Sequence, residues 1–121
     1  DESFQKLTQE KISRCHYYLG RYQEAMTSAY QALSLAQKTN DSYGQGVDYN
    51  TIGMSQYYMG QQQEAMNNFM TAYSFNSMEG SSKTELKTTA YFLSMIYKNM
   101  GNYNAATQYE QQYNSLQSQG Y

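Results

Sequence analysis

The chain contains one ten-residue pattern twice. YYLGRYQEAM spans Tyr17–Met26 and YYMGQQQEAM spans Tyr57–Met66, with seven identical positions at an offset of 40 residues. A third and weaker copy, KNMGNYNAAT, spans Lys98–Thr107 and retains the glycine. A fixed period of this length is typical of proteins built from stacked structural repeats, so a repeat architecture is the first hypothesis to test.

Each copy of the pattern places a glycine between two stretches with helical spacing. After Gly20, apolar residues recur at steps of three and four, and before it a similar stripe leads up to the glycine. The downstream stripe is Tyr22, Ala25, Met26, Ala29, Ala32, Leu33 and Ala36, and the upstream one is Phe4, Leu7, Lys11, Ile12, Cys15 and Leu19. Such stripes predict amphipathic helices, and glycine ends a helix at low cost because it adopts the left-handed conformation.

The same pattern predicts the helices of the other two units. In the second unit we expect helices from Ser42 to Met59 and from Gln62 to Ser77, and in the third from Ser82 to Met100 and from Tyr103 to Leu116. The chain has no proline, so nothing interrupts these segments. We therefore predict an all-α fold, an α-solenoid of three antiparallel helical hairpins at about residues 1–40, 41–80 and 81–121, which together form a single domain.

Small residues at equivalent positions explain how the hairpins can stack. Ala25, Ala65 and Ala106 each follow the glycine of their unit by five residues. Alanine alone could reflect helix propensity, but its recurrence in successive units favours a close helix contact. We expect these three residues to be buried.

Composition excludes several classes of partner. The net charge is −2, and the 8 basic and 10 acidic residues are scattered, so the clustered lysine and arginine of a nucleic-acid interface are absent. The apolar runs are too short to cross a bilayer; we expect a soluble chain without membrane insertion. The only cysteine is Cys15, so the chain has no internal disulfide, and its redox compartment is left undetermined. The chain begins without a methionine, and we expect it to be part of a larger protein.

No catalytic or metal-binding arrangement is present in the sequence. Cys15 and His16 are adjacent and point about 100° apart on a helix, whereas a nucleophilic cysteine needs a histidine within hydrogen-bond reach. We expect Cys15 in the core and His16 at its rim. One cysteine and one histidine cannot supply the four ligands of a zinc site. The prediction is a protein that is not an enzyme and uses no metal or cofactor.

The repeated segments resemble the tetratricopeptide repeat. LGRYQEAMTSAYQAL (Leu19–Leu33) is similar to the second half of such a repeat, and YNTIGMSQYYMGQQQEAMNNFMTAY (Tyr49–Tyr73) to nearly a whole one. The usual unit has 34 residues, whereas the glycines here are 40 and 41 residues apart. This spacing resembles the long-repeat variety of peptide-regulated bacterial regulators, bacterial signalling proteins and adaptor proteins of the G-protein pathway.

The resemblance implies a concave groove lined by the first helix of each hairpin. The groove positions that it assigns here are Arg14, Tyr17, Asn50, Met54, Tyr57, Tyr58, Tyr91, Met95 and Lys98. The lysine, arginine and asparagine lattice with which some of these repeats hold a terminal carboxylate is mostly missing. Tyrosine and methionine instead suit side chains and backbone of a partner segment, with Arg14 and Lys98 favouring one or two acidic residues in it.

Two functions remain open from the sequence. The first is a non-catalytic module that binds a protein or peptide segment in the concave groove, as part of a larger protein with a signalling or regulatory role. The alternative is a structural spacer or self-association element, in which the tyrosine and methionine surface is buried in a homodimer. Because fold does not fix function, the choice needs a test of oligomeric state and of partner binding.

Overall fold

Six α-helices follow one another along the chain in the computed structural model, which describes all residues 1–121. They are α1 (Glu2–Tyr18), α2 (Tyr22–Lys38), α3 (Ser42–Tyr58), α4 (Gln62–Asn76), α5 (Lys83–Asn99) and α6 (Tyr103–Ser118), and no strand is present. The all-α hairpin architecture predicted from the sequence is thus confirmed. None of the helices combines the length and apolar character that a membrane crossing requires.

Local sequence sets where the helices end and begin. Gly20, Gly60 and Gly101 have φ between 77° and 81°, a conformation that costs glycine little. Helices α3 and α6 start at a polar cap: Asp41 and Asn102 accept hydrogen bonds from the backbone N–H groups of Gly44 and Ala105. Ser82 likewise accepts from the N–H of Glu85.

The hairpins stack through contacts between the second helix of one and the first helix of the next. α2 packs on α3, and α4 packs on α5, while α3 also touches α1 and α5. α3 is therefore the central helix of the array, with eleven buried positions. Ala25, Ala65 and Ala106 are all buried, which confirms the helix contacts that the repeated alanines predict.

The core is concentrated in the second and third hairpins. Its largest cluster contains Met54, Ala65, Phe69, Phe92, Leu93 and Ile96, with Phe69 stacked on Phe92 at 5.1 Å between ring centroids. A smaller cluster joins Ala29 and Leu33 of α2 to Ile52 of α3. The larger cluster thus joins α3 to α5 through α4, and the smaller one joins the first hairpin to α3.

The first helix departs from the sequence prediction. Its apolar stripe faces solvent: Phe4 is 71% exposed and Leu19 is 66% exposed, and Cys15 is exposed as well. The expectation that Cys15 lies in the core is therefore wrong. The physical reason is that α1 turns Ser13 and Tyr17 towards the other helices, while no helix covers its opposite side.

Candidate interaction groove

A continuous row of aromatic rings crosses all three hairpins. It starts on α1, where Tyr17 contacts Tyr18 and Tyr58 with centroids 5.1 and 6.1 Å apart. Tyr58 of α3 lies 6.2 Å from Phe92 of α5, and Phe92 lies 5.4 Å from Tyr91. Tyr91 then reaches the last helix through Tyr113 at 5.3 Å. We call these residues, with Tyr22 and Tyr57, the aromatic row.

Two exposed members of the aromatic row come from the ends of first helices, and the third, Tyr91, lies in the middle of α5. Tyr18 and Tyr58 are the last residues of α1 and α3, so each lies beside the turn to the next helix. Tyr58 is 50% exposed and Tyr91 is 42% exposed, although both rings rest on other aromatic rings. Tyr22 stacks on Tyr58 at 5.5 Å and supports it from below. The aromatic row is therefore partly exposed to solvent, and contacts with neighbouring rings fix the positions of its exposed tyrosines.

One cavity lies at the end of the row formed by the first hairpin. It has a volume of about 370 Å³ and is bounded by α1, α3 and α5 through Glu10, Lys11, Arg14, Cys15, Tyr18, Tyr43, Val47 and Glu85. Two tyrosines and two carboxylates thus face one space. Tyr18 belongs both to this cavity and to the aromatic row, so the two surfaces are continuous.

Two further cavities lie at the opposite end, between α5 and α6. The first, of about 300 Å³, is lined by Lys87, Thr88, Tyr91, Phe92 and Tyr113. The second, of about 370 Å³, is lined by Tyr91, Ser94, Met95, Lys98, Glu110, Tyr113 and Asn114. Because both share Tyr91 and Tyr113, they adjoin. We use the word groove for the aromatic row together with the cavities at its two ends.

A polar network holds the three first helices together beneath the groove. The Arg14 guanidinium donates from Nε to Thr51 Oγ1 at 2.6 Å and from Nη2 to Glu85 Oε1 at 2.7 Å. Asn50 Nδ2 donates to the same Glu85 oxygen at 3.0 Å. One arginine and one glutamate thus connect α1, α3 and α5. Although burial alone would lower the pKa of Arg14, the Glu85 carboxylate leaves it raised, so the guanidinium stays charged.

Glu10 is the acidic group of the first cavity that has no ion-pair partner. The four ion pairs of the structure join Lys6 to Asp41, Arg14 to Glu85, Lys38 to Glu2 and Lys98 to Glu110. Burial raises the pKa of Glu10, which Arg14 only partly offsets. Burial, together with the neighbouring Tyr58, also raises the pKa of Tyr17, so this phenol stays a neutral hydrogen-bonding group. Because Glu10 has no ion-pair partner, the first cavity can accept a hydrogen-bond donor at this residue.

Comparison with known proteins places this geometry in a family. Models of the tetratricopeptide repeat match residues 7–78 and residues 88–119. The chain belongs to the tetratricopeptide repeat family. Among solved structures, the crystal structure of the TPR domain of Arabidopsis FLU is similar, with a TM-score of 0.84 and 16% sequence identity over 98% of this chain and 99% of that chain. A search of curated proteins gave no significant match.

Membership of the tetratricopeptide repeat family indicates a general function. Tetratricopeptide repeat domains generally mediate protein–protein interaction and are typically non-catalytic modules. The chain also offers no group of three or more histidine, cysteine, aspartate or glutamate residues arranged to hold a metal ion. At 16% identity, the FLU domain shows the fold alone.

The tetratricopeptide alignment assigns two residues to the groove that the structure places in the interior. Met54 is 3% exposed and belongs to the core cluster with Phe69 and Phe92. Asn50 is fully buried and donates to Glu85 on the neighbouring helix. The expectation that both line the surface is wrong, because α3 is covered on three sides by α2, α4 and α5.

The other predicted positions lie along the groove. Arg14 lines the first cavity, and Tyr91, Met95 and Lys98 line the cavities at the far end. Tyr17 and Tyr57 are half-buried members of the aromatic row, and Tyr58 is exposed on it. Tyr57 and Tyr58 follow one another on α3, yet both rings contact Phe92.

Sequence reasoning missed several residues of the groove. Tyr43 and Val47 line the first cavity from the start of α3, and Tyr113 lines both far cavities. Tyr113 could have been noticed in the sequence, because the repeat aligns it with the small residues Ala32 and Ala72. Glu85 follows Ser82 by three residues, the spacing of a capping box, in which its side chain would accept from the Ser82 N–H. Instead, its carboxylate is bound to Arg14 and Asn50.

Proposed function

We propose that the groove binds a segment of a partner protein, laid along the aromatic row from one end cavity to the other. The observation that carries this proposal is the unbroken contact between the cavities: Tyr18 belongs to the first, Phe92 to the second, and Tyr17 and Tyr58 connect them. A ligand segment of several residues would thus meet aromatic surface along its whole length.

The charges of the groove determine the chemistry of the partner. The acidic preference expected from Arg14 and Lys98 loses its support, since Arg14 is paired with Glu85 at 2.7 Å and Lys98 with Glu110 at 3.3 Å. What remains available is aromatic surface, the carboxylate of Glu10 and the ammonium of Lys11 at the first cavity, and the ammonium of Lys87 at the second, where it donates to the Tyr121 carbonyl and lies over the Tyr113 ring. The groove therefore fits a segment with apolar or aromatic side chains and a hydrogen-bond donor near its end at the first cavity. Tyrosine and tryptophan combine both properties.

The test begins by selecting peptides from a displayed random library on the wild-type protein and measuring their affinity by fluorescence anisotropy. The double substitution Tyr58→Ala with Tyr91→Ala should weaken binding by about thirtyfold or more, because central aromatic anchors contribute on the order of 2 kcal/mol. Tyr103→Ala is the matched control, since Tyr103 is also exposed and lies outside the groove. If the selected peptides bind the double variant as well as the wild type, the groove is not their site.

The alternative function is self-association or a spacer role. Size-exclusion chromatography with light scattering separates it from partner binding: a monomer with a free groove supports the proposal, whereas a stable dimer that hides Tyr58 and Tyr91 supports the alternative. A signalling or regulatory role in a larger protein is an extension of the proposed function. It requires that partner binding change the activity of a linked domain.

A further inference from the structure

The outer face of α1 is an apolar surface that adjoins the groove at Cys15, which also lines the first cavity. Phe4 is 71% exposed, Leu7 48%, Ile12 38% and Leu19 66%, and Cys15 is exposed among them. Their spacing of three, four and eight residues places them on one side of the helix. We call these five residues the α1 stripe. A contiguous exposed apolar stripe with helical spacing is unusual on a surface that contacts only water.

The internal repeat shows what covers this face in the other two hairpins. An offset of 40 residues takes Ile12 to Ile52, which is fully buried and packs on Ala29 and Leu33 of α2. A further offset of 41 residues takes it to Leu93, which lies in the cluster with Ala65 and Phe69 of α4. In both cases the second helix of the preceding hairpin covers the face. The equivalent face of α1 has no such helix.

We propose that the α1 stripe docks an amphipathic α-helix of a partner polypeptide, packed as α2 packs on α3. The face of α2 that covers α3 has Ala29 and Leu33 at a spacing of four, with Ala36 beside the start of α3. The docked helix therefore presents alanine and leucine at steps of three and four, which permits a close approach between backbones. This surface shares only Cys15 with the groove, and it extends the α2–α3 type of interface by one helix.

A second copy of the chain does not supply that helix. The positions of α2 that face α3, Met26, Ala29, Leu33 and Ala36, correspond through the repeat to Thr107, Glu110, Asn114 and Gln117 of α6. α6 is thus polar where a covering helix must be apolar, which excludes head-to-tail stacking. Two α1 stripes in antiparallel contact would bring both copies of Lys11 together near the centre, since Lys11 lies midway between Phe4 and Leu19. Like charges in such contact are unfavourable.

The experiment uses two peptides of this chain as probes of the 121-residue protein. The first is the α2 sequence, residues 22–38, stapled between positions 23 and 27 on its exposed side; the second is the α6 sequence, residues 103–118, stapled at the equivalent positions 104 and 108. Both are helical, and only the first has the apolar face. We expect the α2 peptide to slow the reaction of Cys15 with a thiol reagent at least tenfold and the α6 peptide to leave it unchanged.

Two variants locate the contact. Ile12→Asp places a charge in the α1 stripe and should weaken binding of the α2 peptide at least tenfold, whereas Tyr58→Ala in the groove should leave it unchanged. If Ile12→Asp fails to fold by circular dichroism, Leu7→Asp takes its place, since Leu7 also belongs to the α1 stripe and lies outside the first cavity. Equal protection by both peptides, or protection by neither, overturns the proposal. So does a dimer in which Cys15 is already unreactive, because the occupant is then a second copy.

Discussion

At the residue scale, Asn50 and Asp48, two of the buried polar residues of α3, differ in whether their side chains have hydrogen-bond partners. Asn50 donates to Glu85 and accepts from the Thr89 hydroxyl at 2.6 Å, so its burial is compensated. Asp48 is equally buried, and neither of its carboxylate oxygens has a hydrogen-bond partner. Burial, with the nearby carboxylate of Glu10 adding to it, raises the pKa of Asp48 to about 8. The folded chain therefore holds this group as a neutral acid.

The raised pKa of Asp48 predicts that the free energy of unfolding decreases as pH rises. Between about pH 4 and pH 8 the unfolded chain releases the Asp48 proton, whereas the folded chain retains it. The free energy of unfolding should then decrease with a limiting slope of about 1.4 kcal/mol per pH unit. Asp48→Asn removes this contribution, so the stability of the variant relative to wild type should increase from pH 4 to pH 8, as measured by urea unfolding.

Asp41→Asn is the matched control, because its effect on the free energy of unfolding should change with pH in the opposite direction. Burial would raise the pKa of Asp41, but the Lys6 ammonium and the Gly44 N–H leave it lowered. Its contribution is present above the unfolded pKa and is lost as pH falls, so the variant should be more destabilised at pH 7 than at pH 3. If the free energies of unfolding of Asp48→Asn and wild type differ by the same amount at every pH, the carboxyl of Asp48 is not buried in the folded chain.

At the element scale, the alanines of the second helices decide how closely the hairpins pack. Ala65 of α4 is fully buried and belongs to the same cluster as Leu93 and Ile96 of α5. On α3, the face towards α4 is equally close, because a Cβ added to Gly53 would lie 3.0 Å from the Phe69 ring. Each contact of α4 therefore contains a small residue, which is Ala65 of α4 on the side of α5 and Gly53 of α3 on the other.

Ala65→Leu should overpack this contact and lower the free energy of unfolding by roughly 1–3 kcal/mol. Leucine has nearly the helix propensity of alanine, so the loss would come from packing alone. Glu64→Leu, at the neighbouring exposed position, should stay within about 0.5 kcal/mol of wild type. Chemical denaturation measures both variants, and equal stabilities would mean that the α4–α5 contact is looser than the structure shows.

At the scale of the whole molecule, the ion pair between Arg14 and Glu85 connects the first hairpin to the third. Their side chains are only 22% and 12% exposed, and Asn50 of the middle hairpin shares the carboxylate. This arrangement links residues 71 positions apart in the chain. It fixes the relative placement of the three first helices and so the shape of the groove.

Glu85→Ala should lower the free energy of unfolding by about 3 kcal/mol, because it leaves the Arg14 charge and Asn50 without their partner in a mostly buried site. Glu110→Ala breaks the Lys98–Glu110 pair, whose side chains are more than half exposed, and should cost at most about 1 kcal/mol. Urea unfolding of both variants tests the difference. Similar losses in the two variants would show that the Arg14–Glu85 pair is effectively solvated.

The sequence by itself determined the helices, their turns and their repeat. Gly20, Gly60 and Gly101 could be recognised because few residue types tolerate the left-handed turn, and Ala25 and Ala65 because a close helix contact excludes larger side chains. These are local or pairwise requirements, and they restrict the residue type at a single position. The resemblance to the tetratricopeptide repeat assigned Arg14, Tyr58 and Tyr91 to the first helices, and these residues line the candidate groove.

Only the tertiary structure decided which face of each helix is covered. The spacing of three and four identifies residues that share a side, but coverage depends on how many neighbours a helix has. Met54 and Asn50 are buried because α3 lies between two other hairpins, whereas Phe4 and Leu19 are exposed because α1 has neighbours on one side alone. The partner of Arg14 was equally inaccessible to sequence reasoning, since a contact with Glu85 exists only when α1, α3 and α5 are brought side by side.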